Sequence, residues 1–230
     1  MRMTLLYAFP AALLALAAPV FGQSTYRAPF DFHGIQLGST MAQFAAASPP
    51  EFSNGSTRHA HDAEPVCSDN GKSLPHGIHI DQVDVQHKGG VCGWGFDLLD
   101  NGDLYSATFR VGDSTGIGDF RYIAMPGDNQ AMLYHIHIQV QNDEISSVIS
   151  GLTAKFGPPS ERRTEPWQNK VGGRFDNTVL VWKNGTSQIV VRQLALSVDE
   201  GSIDYILTDH YIYKNSLKQV TDQVRDAGNM

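Results

Sequence analysis

The sequence has very little cysteine, no run of basic residues and, beyond its N-terminus, no long apolar stretch. Each shortage narrows the function. Arg162-Arg163 is the sole adjacent pair of cations, and Glu161 and Glu165 flank it. Such a chain offers no patch for nucleic-acid phosphates or for anionic lipid. There is no CxxC pair for thiol exchange, no HExxH zinc-protease pair and no glycine-rich phosphate loop. A membrane span needs roughly 20 apolar residues, so none is expected after the leader. What remains is an ordinary globular composition, 41% hydrophobic and 18% charged. The formal net charge of −7 grows by one negative unit if Arg2 leaves with a leader. An acidic surface of this kind fits a protein partner, in particular a basic one.

Residues 1–22 read as that leader: a charged start at Arg2, an apolar run over 5–18, and small residues at Val20 and Gly22 before the cut. Secretion or export to a periplasm follows as an expectation. No Cys sits directly after the cut, so no lipid anchor is expected. The two cysteines, Cys67 and Cys92, are then expected to form a disulfide, because an oxidising compartment pairs an even count. The segment between them is poor in large apolar residues, so a staple there supplements weak packing.

Residues 23–230 are expected to form a single α+β domain, an antiparallel sheet with two or three helices packed on one face. The helices are read over 40–47, 143–156 and 216–226. Thr40 and Gln43 have capping-box spacing. Ile145, Val148, Ile149, Leu152 and Phe156 share one helical face, and Gly157-Pro158-Pro159 ends it. Hairpins are read over 98–111 and 179–192, around Asn101-Gly102 and Asn184-Gly185, because both turn residues must tolerate positive φ. Further strands are expected over 30–37, 78–85, 120–124, 132–141 and 203–213. The order helix, double proline, polar loop, Trp, Asn-Gly hairpin occurs twice. This predicts two related helix-plus-hairpin halves, 30–115 and 116–230.

The segment Gly34-Ile35-Gln36-Leu37-Gly38-Ser39-Thr40-Met41 resembles a helix entry found in small secreted bacterial envelope proteins, and Leu152-Thr153-Ala154-Lys155-Phe156-Gly157-Pro158 resembles their helix exit. That group includes the tandem-repeat β-lactamase inhibitor proteins and the small outer-membrane assembly lipoproteins. The resemblance covers these two short segments. It implies units that set a helix on an antiparallel sheet and bind other proteins. The chain departs from the group in lacking the lipoproteins' anchoring Cys and in its longer loops. No contact residue of the group maps onto it.

Among candidate chemical groups, His135 and His137 stand out. Two apart on a strand, they project the same way and offer two imidazoles to one zinc ion. His79 is the third ligand singled out, with His76, Asp81, His87 and His210 as alternatives. The plainer reading is a solvated strand face, since Gln139 and Gln141 share it. His59 and His61, near Asp62 and Glu64, read as exposed loop residues. Gly112-Asp113-Ser114 resembles a hydrolase nucleophile block, but it follows a strand end between glycines and reads as a turn. Tyr205, Tyr211 and Tyr213 lie at one parity of the expected last strand, as core or as a protein-binding stripe. The reading that follows is a secreted or periplasmic, non-catalytic protein-binding module with no cofactor. The alternatives are a secreted hydrolase, zinc-dependent through His135 and His137, and a small-ligand carrier.

Overall fold

The computed structural model describes residues 28–52 and 63–215. The leader, the loop histidines 59 and 61 and the expected helix over 216–226 lie outside the described residues.

Strand, not helix, builds this chain. A short hairpin, β1 (Asp31–Phe32) and β2 (Ile35–Gln36), precedes helix α1 (Met41–Ala46). Strand β3 (Glu64–Cys67), helix α2 (Gln82–Gln86) and strands β4 (Gly90–Asp97), β5 (Leu104–Ser106), β6 (Phe109–Val111), β7 (Ser114–Ala124) and β8 (Ala131–Gln141) follow. A 3-10 turn then leads into helix α3 (Ile145–Phe156). The chain continues through β9 (Glu161–Gln168), β10 (Arg174–Lys183), β11 (Ser187–Arg192) and β12 (Glu200–Leu207). All pairings are antiparallel, and ten strands share one sheet in the order β3-β4-β7-β8-β12-β11-β10-β9, with β5 on β4 and β6 on β7.

The expected layer of two or three helices on one face is therefore corrected. Of the described helices only α3 exceeds six residues. The physical reason lies in the punctuation: Ser48-Pro49-Pro50 stops α1 after six residues. The inner face of the sheet is instead covered piecemeal. The β1–β2 hairpin supplies Phe32 and Ile35, α1 supplies Phe44, β6 supplies Phe109 and Val111, and α3 supplies Ile145, Val148 and Leu152. The residues read as a strand over 78–85 run instead into α2, because Asp81 and Asp84 form a capping box there. The strand over 30–37 splits at His33 and Gly34, whose φ values are +48° and +81°.

The sheet order is a palindrome about the β8–β12 seam. A helix (α1) precedes the main-path strands β3, β4, β7 and β8; another (α3) precedes β9, β10, β11 and β12. Trp94 lies on the second strand of the first set and Trp182 on the second strand of the other, both turned into the core. Strand β7 runs unbroken across residues 115–116.

The core is an aromatic cluster. Phe44, Trp94 and Phe120 have ring centroids 4.7 to 5.0 Å apart, and Phe109 lies 5.6 Å from Trp94. Cys67 and Cys92 are cross-strand partners on β3 and β4, joined as a disulfide with Cα atoms 4.1 Å apart. On the outer face, the absence of a side chain at Gly93 lets Ile78 seat against β4; a Cβ there would meet Ile78 Cδ1 at 2.2 Å. The segment between the two cysteines thus covers the outer face at one end of the sheet.

Leu152 sits at the edge of the core, 8% exposed. Leu152→Ala is expected to lower unfolding free energy by about 2 kcal/mol, the low end for a core truncation, because partial exposure lets the site relax. Urea denaturation checks it. A negligible change would mean that α3 does not anchor the inner face.

Candidate functional site

Strand β8 carries a bulge. Arg121 pairs with His135, but the next residue of β7, Tyr122, pairs with Leu133, so Tyr134 is an extra residue. The insertion shifts the alternation by one. Leu133 joins Ile136, Ile138 and Val140 in the core. Tyr134 turns to the outer face, where its hydroxyl donates to Asp84 Oδ1 at 3.3 Å. Unbroken alternation would put Tyr134 on the core face and Leu133 beside the histidines; the bulge reverses both.

His135 and His137 project from the outer face and are half-buried. In the sheet register His137 stands between Asp119 of β7 and Asp204 of β12. His137 Nδ1 is 2.8 Å from Asp204 Oδ1, and His135 Nε2 is 2.9 Å from the same oxygen. The second carboxylate oxygen, Oδ2, accepts from Arg192 Nη1 at 3.0 Å and from Ser202 Oγ at 3.3 Å. Asp204 is 7% exposed, and an ion that far from water persists only with several donors around it.

Electrostatics follow this geometry. Burial alone would raise the Asp204 pKa, but the hydrogen bonds and charges of His135 and His137 outweigh it and hold the carboxyl well below its usual range. Burial would lower the His137 pKa; the hydrogen bond and charge of Asp204, with Asp119 behind, reverse this and raise it. The two partners therefore favour each other's charged forms.

A second ion cluster adjoins the first. Arg121 pairs with Asp119 at 2.6 Å, with Asp84 at 3.1 Å and with Asp81. Asp84 is fully buried at the start of α2, and burial raises its pKa against the pull of its hydrogen bond from the Asp81 backbone and the Arg121 charge. Tyr134 links the clusters in space, bonded to Asp84 and with its ring 6.0 Å from that of His135.

The other sequence-read residues scatter. His79 is exposed in the loop before α2 and is not part of the His135–His137–Asp204 group. His76 packs on Tyr105, Asp81 binds Arg121, and His87 and His210 contact Tyr211. The tyrosines do not form a stripe. Strand β12 ends at Leu207, and residues 211–215 are helical. Tyr205 is in the core, 5.9 Å from the Phe32 ring, with burial pushing its hydroxyl pKa up. Tyr211 lies against His210, and the Tyr213 hydroxyl is 3.4 Å from Gln188 Oε1. Gly112, with φ of +66°, turns the chain from β6 to β7, and the buried Ser114 hydroxyl donates to the Glu144 carbonyl.

Two features escaped the sequence reading. Asp204 is the first; its signal was an acid set among Ile203, Tyr205, Ile206 and Leu207. The second is an apolar end of the sheet. Val171, Phe175, Leu196 and Val198 are exposed large hydrophobics, from 37% for Val198 to 89% for Val171. They lie in the β9–β10 hairpin and the β11–β12 loop. Trp167 ties the two together, its ring 5.7 Å from Phe175 and its Nε1 donating to the Ala195 carbonyl at 3.0 Å. Asn177 fixes the loop further, exchanging two hydrogen bonds of 2.8 Å with the Leu194 backbone.

No known protein family matches the chain, and no curated protein or solved structure shows significant similarity to it.

Proposed function

We propose that this protein is a secreted or periplasmic, non-catalytic module that binds another protein through the apolar end of its sheet. The observation that carries the reading is four exposed hydrophobics, Val171, Phe175, Leu196 and Val198, on a hairpin and a loop that Trp167 joins through Phe175 and the Ala195 carbonyl. Exposed aliphatic side chains beside aromatic anchors, on loops fixed by buried hydrogen bonds, form a preorganised contact surface. The disulfide fits an oxidising compartment, and no helix among the described residues is long and apolar enough to cross a membrane.

The geometry does not favour a serine hydrolase. Ser202 is the hydroxyl in the histidine cluster, and it bonds the carboxylate rather than an imidazole. A nucleophile needs the base beside it and the acid behind the base.

The test is affinity capture with a matched variant. Immobilised, oxidised mature protein is expected to retain a stoichiometric protein from envelope or culture extract. The double variant Val171→Asp, Leu196→Asp is expected to retain none of it. Both positions are exposed, so its stability should stay within about 0.5 kcal/mol of the parent. Equal retention by both forms, or a blank from the parent, would overturn the assignment of this surface.

A further inference from the structure

We propose that His135, His137 and Asp204 form a binding site for a borderline divalent cation of the zinc type. The site does not depend on the apolar end of the sheet.

His135 and His137 are held side by side on β8, and Asp204 stands across from His137 on β12. The sheet therefore fixes three donor-bearing Cα positions before any ion arrives. A tetrahedral zinc ion with bonds of about 2.0–2.2 Å separates its ligand atoms by roughly 3.4 Å. Here the two imidazole nitrogens are 2.8 and 2.9 Å from Asp204 Oδ1, and the three donor atoms all lie within 4.8 Å of one another. Opening the nitrogen–oxygen gaps needs shifts of roughly half an ångström. The two rings have that freedom, with 25% and 31% of their side-chain surface exposed.

Outer contacts favour the same assignment. Arg192 and Ser202 occupy Asp204 Oδ2 and turn Oδ1 toward the rings. Ligating carboxylates are usually oriented in this way by hydrogen bonds on their second oxygen. A neutral imidazole that now donates to Asp204 donates from the very atom that would ligate. On ion binding its proton moves to the ring's other nitrogen, and the hydrogen bond gives way to coordination. The exposed side leaves a fourth position for water or for a donor from a partner. Two imidazoles with one carboxylate select zinc, copper or nickel over calcium and magnesium, which prefer sites made wholly of oxygen.

The test is a titration of the oxidised, metal-stripped mature protein with ZnCl2 against a chromophoric chelator, at mildly alkaline pH. One Zn2+ per chain is expected. His135→Gln and His137→Gln should each weaken binding at least about 10-fold. Glutamine keeps an N–H for Asp204, which preserves the local hydrogen bonding. His79→Gln and the double variant His59→Gln, His61→Gln should bind as the parent does. The parent loaded with Co2+ should show the intense visible bands of a four-coordinate ion. The proposal is overturned by absence of Zn2+ uptake in the parent, by full uptake in the His135→Gln, His137→Gln double variant, or by Co2+ bands of an octahedral aquo ion. The last two readings differ in origin, so a misfolded variant does not leave the matter open.

Discussion

Asp204→Ala is expected to lower the free energy of unfolding by about 3 kcal/mol in metal-free protein. Truncation removes the acceptor of four hydrogen bonds, from His135, His137, Arg192 and Ser202. Breaking a buried ion pair by deleting one partner costs about 3–5 kcal/mol. The lower value applies here, since Arg192 and both imidazoles retain some access to water. The loss should depend on pH. The folded Asp204 pKa is depressed below 3.8, so its contribution is full above that ordinary value and falls away in acid. The folded His137 pKa is raised above 6.5, so its contribution is full below that value and is lost as pH rises through the folded pKa. The gap between parent and Asp204→Ala is therefore widest in the mildly acidic window between the two ordinary values. Chemical denaturation across pH, in the presence of a chelator, measures it. A gap that does not change with pH would mean that the carboxylate and imidazoles do not titrate as a unit.

Reducing the Cys67–Cys92 bond is expected to have a comparable effect. The two cysteines are 25 residues apart in sequence. In the chain-entropy account a loop of that length is worth about 3 kcal/mol. For a domain of this size that corresponds to a fall in Tm of about 10 °C. The local structure explains why the staple matters. Strand β3 has four residues and lies at the sheet edge, and the loop it starts carries Ile78 and Asp84 to the outer face. Without the bond, that covering segment is held by few apolar contacts. Differential scanning calorimetry with and without reductant, alongside a thiol assay, checks this. An unchanged Tm in fully reduced protein would show that packing alone holds the segment.

Legibility of the sequence tracked how local each signal was. Thr40 and Gln43 form the capping box that their spacing announced, and α3 follows its apolar stripe to Gly157. Asn184-Gly185 turns a hairpin, with Gly185 at φ of +91°. The cysteine pairing followed from compartment alone. Strand β9 was missed because Glu161-Arg162-Arg163-Thr164-Glu165-Pro166-Trp167-Gln168 has no apolar alternation; β10 makes it a strand by pairing with it. Its charges and proline suit an edge position. Both Trp residues fall on core strands, Trp94 on β4 and Trp182 on β10, but no local pattern reveals that β7 runs across residue 115. At the candidate site the histidine pair was legible and its partner was not. Asp204 lies 67 residues from His137 in sequence, and only the β8–β12 register brings them together. The bulge at Tyr134 was not legible for the same reason, since it depends on pairing with β7 rather than on β8 itself.

A partner protein is expected to dock at the apolar end of the sheet. Site-specific photo-cross-linking in intact cells tests it most directly. A photoreactive residue placed at Leu196 is expected to trap one discrete protein adduct. The same residue at Leu99, equally exposed in the β4–β5 turn, is expected to trap none. Adducts at Leu99 and not at Leu196, or at neither position, would contradict the account.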